Sequence, residues 1–163
     1  MVSMQPITQS YMEEPKSCFK KPEIKPYKKG SIMDVLMRES PLMAYIAQVA
    51  RLDHDLDDLD FKGTCFAPCY EYCSRYWKYF KGNMDHLTAR QIILSSCLKA
   101  QVKEKDLYYG PSLYPSLNRY SNIHVTTGCD LVLNGNLKII KADQQCANGI
   151  IQFINGMIEP EIN

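Results

Sequence analysis

Three cysteines recur at four-residue spacing near the middle of the chain, and such thiols could bind a metal or act as nucleophiles. They are Cys65, Cys69 and Cys73, and a single helix would place them on one face. Pro68 interrupts the segment and leaves Cys65 in a short apolar run. Zinc sites use CxxC pairs or paired Cys and His ligands, and the sequence shows neither pattern. We therefore expect Cys65 and Cys73 to pack in the core, and we predict no metal and no other cofactor.

A Cys–His pair is a second catalytic arrangement that the residue types allow. His54, His86 and His124 could each activate a thiol, but nothing in the sequence places a base or an oxyanion hole beside a cysteine. The sequence also lacks a glycine-rich phosphate loop, a G-x-S-x-G motif and an H-E-x-x-H motif. We predict that the protein is not an enzyme.

Five aspartates crowd the run DHDLDDLD (53–60), where they alternate with leucines. Such a run could hold a cation, but it lacks the turn-forming Gly and the terminal Glu of a calcium loop. Leu56 and Leu59 continue an apolar spacing of three and four residues that begins at Leu42. We interpret the run as the solvated acidic face of an amphipathic helix.

The composition is that of one soluble domain: 163 residues, 45% hydrophobic and 23% charged. A net charge of +1 gives no reason to expect a nucleic-acid partner. No apolar run reaches the roughly 18–20 residues that a bilayer crossing needs, so we predict no membrane span. The first residues lack a signal-peptide pattern, and without one the seven cysteines are expected to be free thiols in the cytosol.

Residues 1–30 differ from the rest and are called the arm. They carry six lysines against three glutamates and four scattered prolines, without a helical or strand period. We expect an extended arm that contacts an acidic partner, followed by a single domain over residues 31–163. A solvated tail is the alternative. The residues expected to touch the partner are Phe19, Lys20, Lys21, Ile24 and Tyr27.

Helical patterns fill the first part of the domain and strand patterns the last. Ser31 followed by Asp34 is a helix-start signal, and GTCFAP (63–68) is a short apolar strand. Helical spacing returns over 69–80 and 84–101. Later, Asn134-Gly135 between two apolar runs predicts a hairpin turn. Helices first and strands later indicate an α+β fold with a mainly antiparallel sheet.

Two aromatic stretches are candidate contact surfaces. In YEYCSRYWKYF (70–80) the rings alternate with basic residues, and YYGPSLYP (108–115) combines tyrosines with turn residues. The first stretch could pack half of its rings into the core, form a protein interface, or stack nucleic-acid bases. We expect Arg75, Trp77, Tyr109 and Tyr114 to contact a protein partner.

Two motifs in this order resemble those of the fasciclin domain family. TCFAP (64–68) resembles the family's T-V-F-A-P strand, with Cys69 where a polar helix cap is usual. NGIIQFIN (148–155), followed by Pro160, resembles the family's terminal strand. The resemblance covers roughly residues 31–160. It implies a wedge-shaped, mostly antiparallel β-fold with helices packed against it, in which the last strand pairs inside the sheet.

Three positions depart from the family pattern. Ser95-Ser96 stands where members carry a Tyr-His pair linked to cell adhesion, Gln152 replaces a His, and Asn155 replaces an Asp. Together with the missing secretion signal, these departures suggest a scaffold put to a new use.

We hypothesise a non-enzymatic structural protein that its arm docks in a larger assembly. The specific form of this hypothesis is a minor capsid (cement) protein of a large DNA virus, located in the virion and the infected-cell cytoplasm. Its partners would be other structural proteins of the capsid or scaffold. The alternative is an extracellular cell-adhesion or matrix module.

Overall fold

A computed structural model describes residues 21–77 and 84–160 of the chain. Within them, no helix is long and apolar enough to cross a membrane. The helices are α1 (Ile32–Glu39), α2 (Pro41–Val49), α3 (Asp53–Asp57), α4 (Tyr70–Trp77), α5 (His86–Ser95) and α6 (Glu104–Tyr109). The strands are β1 (Gly63–Pro68), β2 (Cys97–Leu98), β3 (Leu113–Pro115), β4 (Asn122–Thr126), β5 (Val132–Leu133), β6 (Ile139–Cys146) and β7 (Gly149–Ile154).

Two sheets organise the domain. The larger has the strand order β2-β1-β7-β6, and the smaller has the order β3-β4-β5. Strands β1 and β7 run parallel, whereas every other pairing is antiparallel. The predicted α+β class with a mainly antiparallel sheet is confirmed. The last strand lies between β1 and β6, as the resemblance implied.

Both faces of the two central strands of the larger sheet, β1 and β7, are covered. On β1 and β7, Cys65, Ala67, Ile151 and Phe153 point into a core shared with helices α1 to α5, here called the helix-side core. Residues of alternate parity, such as Phe66, point into a second core that lies against α6 and the smaller sheet. All six residues of β7 are buried. Burial on both faces explains why this strand has apolar residues on both faces rather than alternating, with Gln152 as its one polar residue.

Local signals start the first two helices, and the first begins where Ser31 and Asp34 predict. The Ser31 hydroxyl accepts a 3.1 Å hydrogen bond from the Asp34 N–H, and the Asp34 carboxylate accepts one of 2.8 Å from the Gly30 N–H. The first bond satisfies a donor that the first turn of α1 leaves without a helical partner, and the second ties the residue before the N-cap to that turn. Pro41 occupies the first position of α2, where its missing N–H costs nothing.

The Asn148-Gly149 pair fixes the start of β7. The Asn148 amide oxygen accepts from the Ile32 N–H at 2.7 Å, and its nitrogen donates to the carbonyls of Leu56 and Asp58 at 2.8 Å. Gly149 has φ +150°, and a Cβ there would lie 2.2 Å from the carbonyl oxygen of Gly63 on β1. The turn therefore requires Gly149, and Asn148 ties it to α1 and α3.

Residues 97 and 98 differ from the sequence prediction. The helical spacing predicts one helix over 84–101, whereas α5 ends at Ser95. The helix ends at Ser95 because Cys97 and Leu98 pair with β1, and the Phe66 N–H donates to the Ser96 carbonyl at 2.8 Å. The backbone is thus in strand β2.

Candidate interaction surface

Two buried aspartates hold the arm against the helices. Asp53 and Asp57 are only 3% and 7% exposed, so the interpretation of this run as a solvated face is wrong for both residues. Asp53 accepts a 2.7 Å hydrogen bond from the Tyr27 hydroxyl. Asp57 accepts bonds of 2.8 Å from the Lys28 N–H and 2.7 Å from the Ser31 hydroxyl. The carboxylates are buried because the chain itself supplies their partners.

Arm lysines complete this contact. The Lys25 ammonium lies 3.6 Å from Asp53, and the Lys28 ammonium lies 3.6 Å from Asp57. Burial, followed by the hydrogen bond to Asp53, raises the pKa of Tyr27 to about 12. The phenol therefore stays protonated and donates at neutral pH. Part of the arm's basic charge is used inside the molecule.

Gln48 on α2 fixes the outer end of this segment. Its side-chain oxygen accepts from the Glu23 N–H at 2.7 Å, and its nitrogen donates to the Glu23 carbonyl at 2.8 Å and to the Tyr27 hydroxyl at 3.0 Å. The amide thus pairs with the arm backbone as a neighbouring strand would. Ile24 lies between these anchors and is 95% exposed.

The predicted arm residues fall into three groups. Ile24 and Lys21 face solvent, whereas Tyr27 points inward to Asp53 and Gln48. Phe19 and Lys20 lie outside the described residues. The signal that sequence reasoning missed was complementary charge: lysines spaced three apart in the arm match aspartates spaced four apart in α3.

A second apolar surface lies where α6 leads into β3. Tyr109 is 87% exposed, and its ring centroid lies 5.7 Å from that of Tyr108. Leu113, four residues on, is 44% exposed. Tyr114 instead packs against the second core and donates a 3.2 Å hydrogen bond to the Asp106 carbonyl. Burial raises its pKa. Of the two predicted tyrosines, Tyr109 is the one available to a partner.

Helix α4 divides its rings between core and surface. Tyr72 and Tyr76 pack against the helix-side core, and Tyr70 is 62% exposed. The exposed Arg75 guanidinium lies 5.3 Å from the Tyr72 ring centroid, a cation–π contact within the chain. The Trp77 side chain lies outside the described residues.

The positions where this chain departs from the fasciclin motifs are structural. Gln152 is fully buried, accepts from the Asp143 N–H at 2.9 Å and donates to the Asp143 carboxylate at 2.7 Å. Asn155 accepts from the Lys138 N–H at 3.0 Å. Ser95 and Ser96 are buried at the end of α5. These polar groups bind their own chain and offer little to a partner.

The thiols behave as core residues. Cys65 and Cys73 are 0% and 2% exposed, as predicted. Burial raises the pKa of Cys73, which disfavours the thiolate that nucleophilic chemistry needs. Within residues 21–77 and 84–160, no three His, Cys, Asp or Glu side chains are grouped as a metal site would require.

The solved structure of a FAS1 domain pair from the insect cell adhesion molecule fasciclin I is similar to this chain. The TM-score is 0.59 at 19% sequence identity, over 83% of this chain and 51% of that chain. The chain therefore spans about half the length of the domain pair, and its fold is fasciclin-like. Neither a family model nor a curated protein matches the sequence.

Proposed function

We propose that this chain is a non-enzymatic structural protein that docks in a larger assembly through its arm. The observation that carries the proposal is Ile24. It is an apolar side chain held 95% exposed on a segment that Gln48 and Asp53 fix to the domain. Because the backbone on either side of Ile24 is already fixed, binding costs less ordering entropy, and more of the burial energy of the side chain contributes to affinity.

The segment that carries Ile24 has charges of both signs. Lys25 pairs with Asp53 and with the exposed Glu23, and Lys28 pairs with Asp57. An apolar side chain with charged neighbours suits a protein interface, in which a polar rim encloses an apolar centre. Tyr109 offers a second contact, because a rigid, exposed tyrosine is a common interface anchor. The remaining proposed contacts are Phe19, Lys20, Arg75 and Trp77.

The assembly we propose is a viral shell, with this chain as a minor capsid (cement) protein of a large DNA virus. Its place would be the virion and the infected-cell cytoplasm, and its partners other structural proteins rather than nucleic acid.

Cell adhesion or a matrix role is the second candidate, favoured by the likeness to a domain pair of an adhesion molecule. Against it stand the buried hydrogen bonds of Gln152 and the burial of Ser95 and Ser96. The compartment distinguishes the two candidates, since an adhesion module would be found outside the cell.

The test is particle association in the cells that naturally make the protein. Full-length protein, Ile24→Asp and Tyr109→Ser would be tagged and separated on density gradients, and the fraction that sediments with particles would be measured. An interface anchor contributes roughly 2 kcal/mol, so the Ile24 variant should bind about thirty-fold more weakly.

Leu87→Asp is the matched control, since Leu87 is also an exposed apolar residue (70%) and lies on α5 rather than on the arm. It should leave association unchanged. The proposal would be overturned if the wild-type protein sedimented as a monomer, or if both aspartate variants associated as it does. Recovery only from the extracellular matrix would favour the adhesion candidate.

A further inference from the structure

Cys65 and Cys97 face each other across the β1–β2 pairing. Phe66, one residue after Cys65, donates its N–H to the carbonyl of Ser96, one residue before Cys97, at 2.8 Å. In an antiparallel ladder, a bond in this position lies next to a non-hydrogen-bonded pair. The Cα atoms of such a pair are roughly 4.5 Å apart, and its side chains lie closer together than those of a hydrogen-bonded pair. A disulfide needs Cα atoms about 4.4–6.8 Å apart, so the spacing of such a pair fits the closed bond.

The two thiols occupy a closed environment. Both residues are 0% exposed and belong to the helix-side core. A hydrogen bond to the Cys97 thiol and burial raise the pKa of Cys65 well above its ordinary value. The Cys65 sulfur is therefore protonated at neutral pH. Reaction requires β2 to open, which is feasible because β2 is a two-residue strand at the edge of its sheet.

We propose that Cys65 and Cys97 form a cross-strand disulfide when the protein passes from a reducing to an oxidising environment. The oxidant is a small-molecule disulfide such as glutathione disulfide. One thiolate attacks it to give a mixed disulfide and one released thiol. The second thiolate then displaces the other half, so that two protein thiols are oxidised and the oxidant is reduced to two thiols.

The bond would fix β2 covalently to β1, in addition to the 2.9 Å hydrogen bond that the Cys97 carbonyl accepts from the Leu117 N–H. Strand β2 joins the end of α5 to the larger sheet through two residues, Cys97 and Leu98. A covalent link to β1 restricts the unfolded chain and holds β2 in place. Strand β2 would be able to open in the reduced protein and would be held to β1 once the disulfide has formed. This site does not depend on the proposed docking through Ile24.

The test uses the full-length protein, reduced with dithiothreitol or equilibrated with glutathione disulfide. We expect peptide mapping to find Cys65 linked to Cys97, and the denatured, oxidised protein to titrate two thiols fewer than the reduced protein. Closing the loop should raise the melting temperature by roughly 5–10 °C. Cys97→Ala should abolish the rise, whereas Cys129→Ser, which removes an exposed thiol, should keep it.

Three results would overturn the proposal. They are two intact thiols at Cys65 and Cys97 after equilibration, a link from either residue to Cys146 of the same core, and an unchanged melting temperature in the linked protein. The mapping is done on the wild-type chain, so it decides the question even if a cysteine variant fails to fold.

Discussion

The hydroxyl of Tyr27 donates a 2.7 Å hydrogen bond to the carboxylate of Asp53, joining the arm to a buried charge on α3. Asp53 is 3% exposed, and its other close partner is the Lys25 ammonium at 3.6 Å. A carboxylate is buried at this depth only when its partners are in place. The arm therefore has a structural role in addition to any contact it makes with other proteins.

Replacing Tyr27 with Phe should destabilise the protein in a pH-dependent way. At pH 7 the lost hydrogen bond should lower the free energy of unfolding by about 1 kcal/mol. Folding raises the pKa of Tyr27 from 10.0 to about 12, so the folded state binds this proton more tightly. The stabilisation is fully present below pH 10 and is lost as the pH rises towards 12. Urea unfolding of both proteins between pH 7 and 11.5 should show the difference shrinking.

Tyr70→Phe is the control, because it removes an exposed hydroxyl of the same type. Its difference from wild type should stay close to zero at every pH. A Tyr27→Phe difference that did not change with pH would contradict the assigned role of the phenol.

Asn148 should be one of the least replaceable residues of the chain. It is fully buried and makes three hydrogen bonds, to the Ile32 N–H and to the Leu56 and Asp58 carbonyls. Asn148→Ala should lower the free energy of unfolding by about 3 kcal/mol, since it leaves buried polar groups without partners.

Asn148→Asp tests the role of the side-chain nitrogen, which donates, apart from that of the side-chain oxygen, which accepts. It keeps an oxygen for the Ile32 N–H but places a second oxygen against two carbonyls that now accept from nitrogen at 2.8 Å. We expect a loss at least as large as that of Asn148→Ala. Wild-type urea resistance in the aspartate variant would show that the amide nitrogen is dispensable.

Gly149→Ala and Gly135→Ala should differ sharply, although both glycines have positive φ. A Cβ at Gly149 would lie 2.2 Å from the Gly63 carbonyl oxygen, whereas at Gly135 nothing lies within 4 Å. Gly135→Ala should cost about 1 kcal/mol for the backbone conformation alone. Gly149→Ala should cost about 3 kcal/mol or more, because β1 and β7 must also separate. Thermal unfolding measures both, and equal losses would contradict the close strand approach.

Local chemistry accounts for what the sequence predicts correctly. Ser31 caps α1, and Asn134 and Gly135 have φ values of +48° and +82°, which the predicted turn requires. The apolar run of β7 predicts a buried strand, and burial on both faces explains it. Each of these features depends on a few residues that are neighbours in the sequence, so the sequence alone is sufficient to predict it.

The features that the sequence misses depend on distant residues. Cys97 and Leu98 continue the apolar spacing of α5, and only their pairing with β1 makes them a strand. Asp53 and Asp57 resemble a solvated helix face until lysines of the arm, more than twenty residues away, are placed beside them. Of the predicted contact residues, exposure favours Ile24 and Tyr109, which sequence patterns could not separate from the inward-facing Tyr27 and Tyr114.

The boundary between arm and domain stays a prediction that truncation can test. Removing residues 1–20 should keep the contacts with Asp53 and Asp57, because these contacts come from residues 25–31. Removing residues 1–27 should leave a folded domain that is about 2 kcal/mol less stable, since buried Asp53 loses both Tyr27 and Lys25.

The stability lost on removal of residues 1–27 could come from the unpaired charge of Asp53 or from a general loss of packing. Asp53→Asn in the truncated chain distinguishes these two causes. The neutral amide needs no cationic partner, so this substitution should recover part of the lost stability in the truncated chain. In the full-length chain the same substitution should destabilise, because there it removes a paired carboxylate. Opposite signs in the two chains, measured by urea unfolding, would identify the buried charge as what makes the arm necessary. Equal effects would mean that the arm contributes through packing alone, and failure of the truncated chain to fold would move the domain boundary to before residue 28.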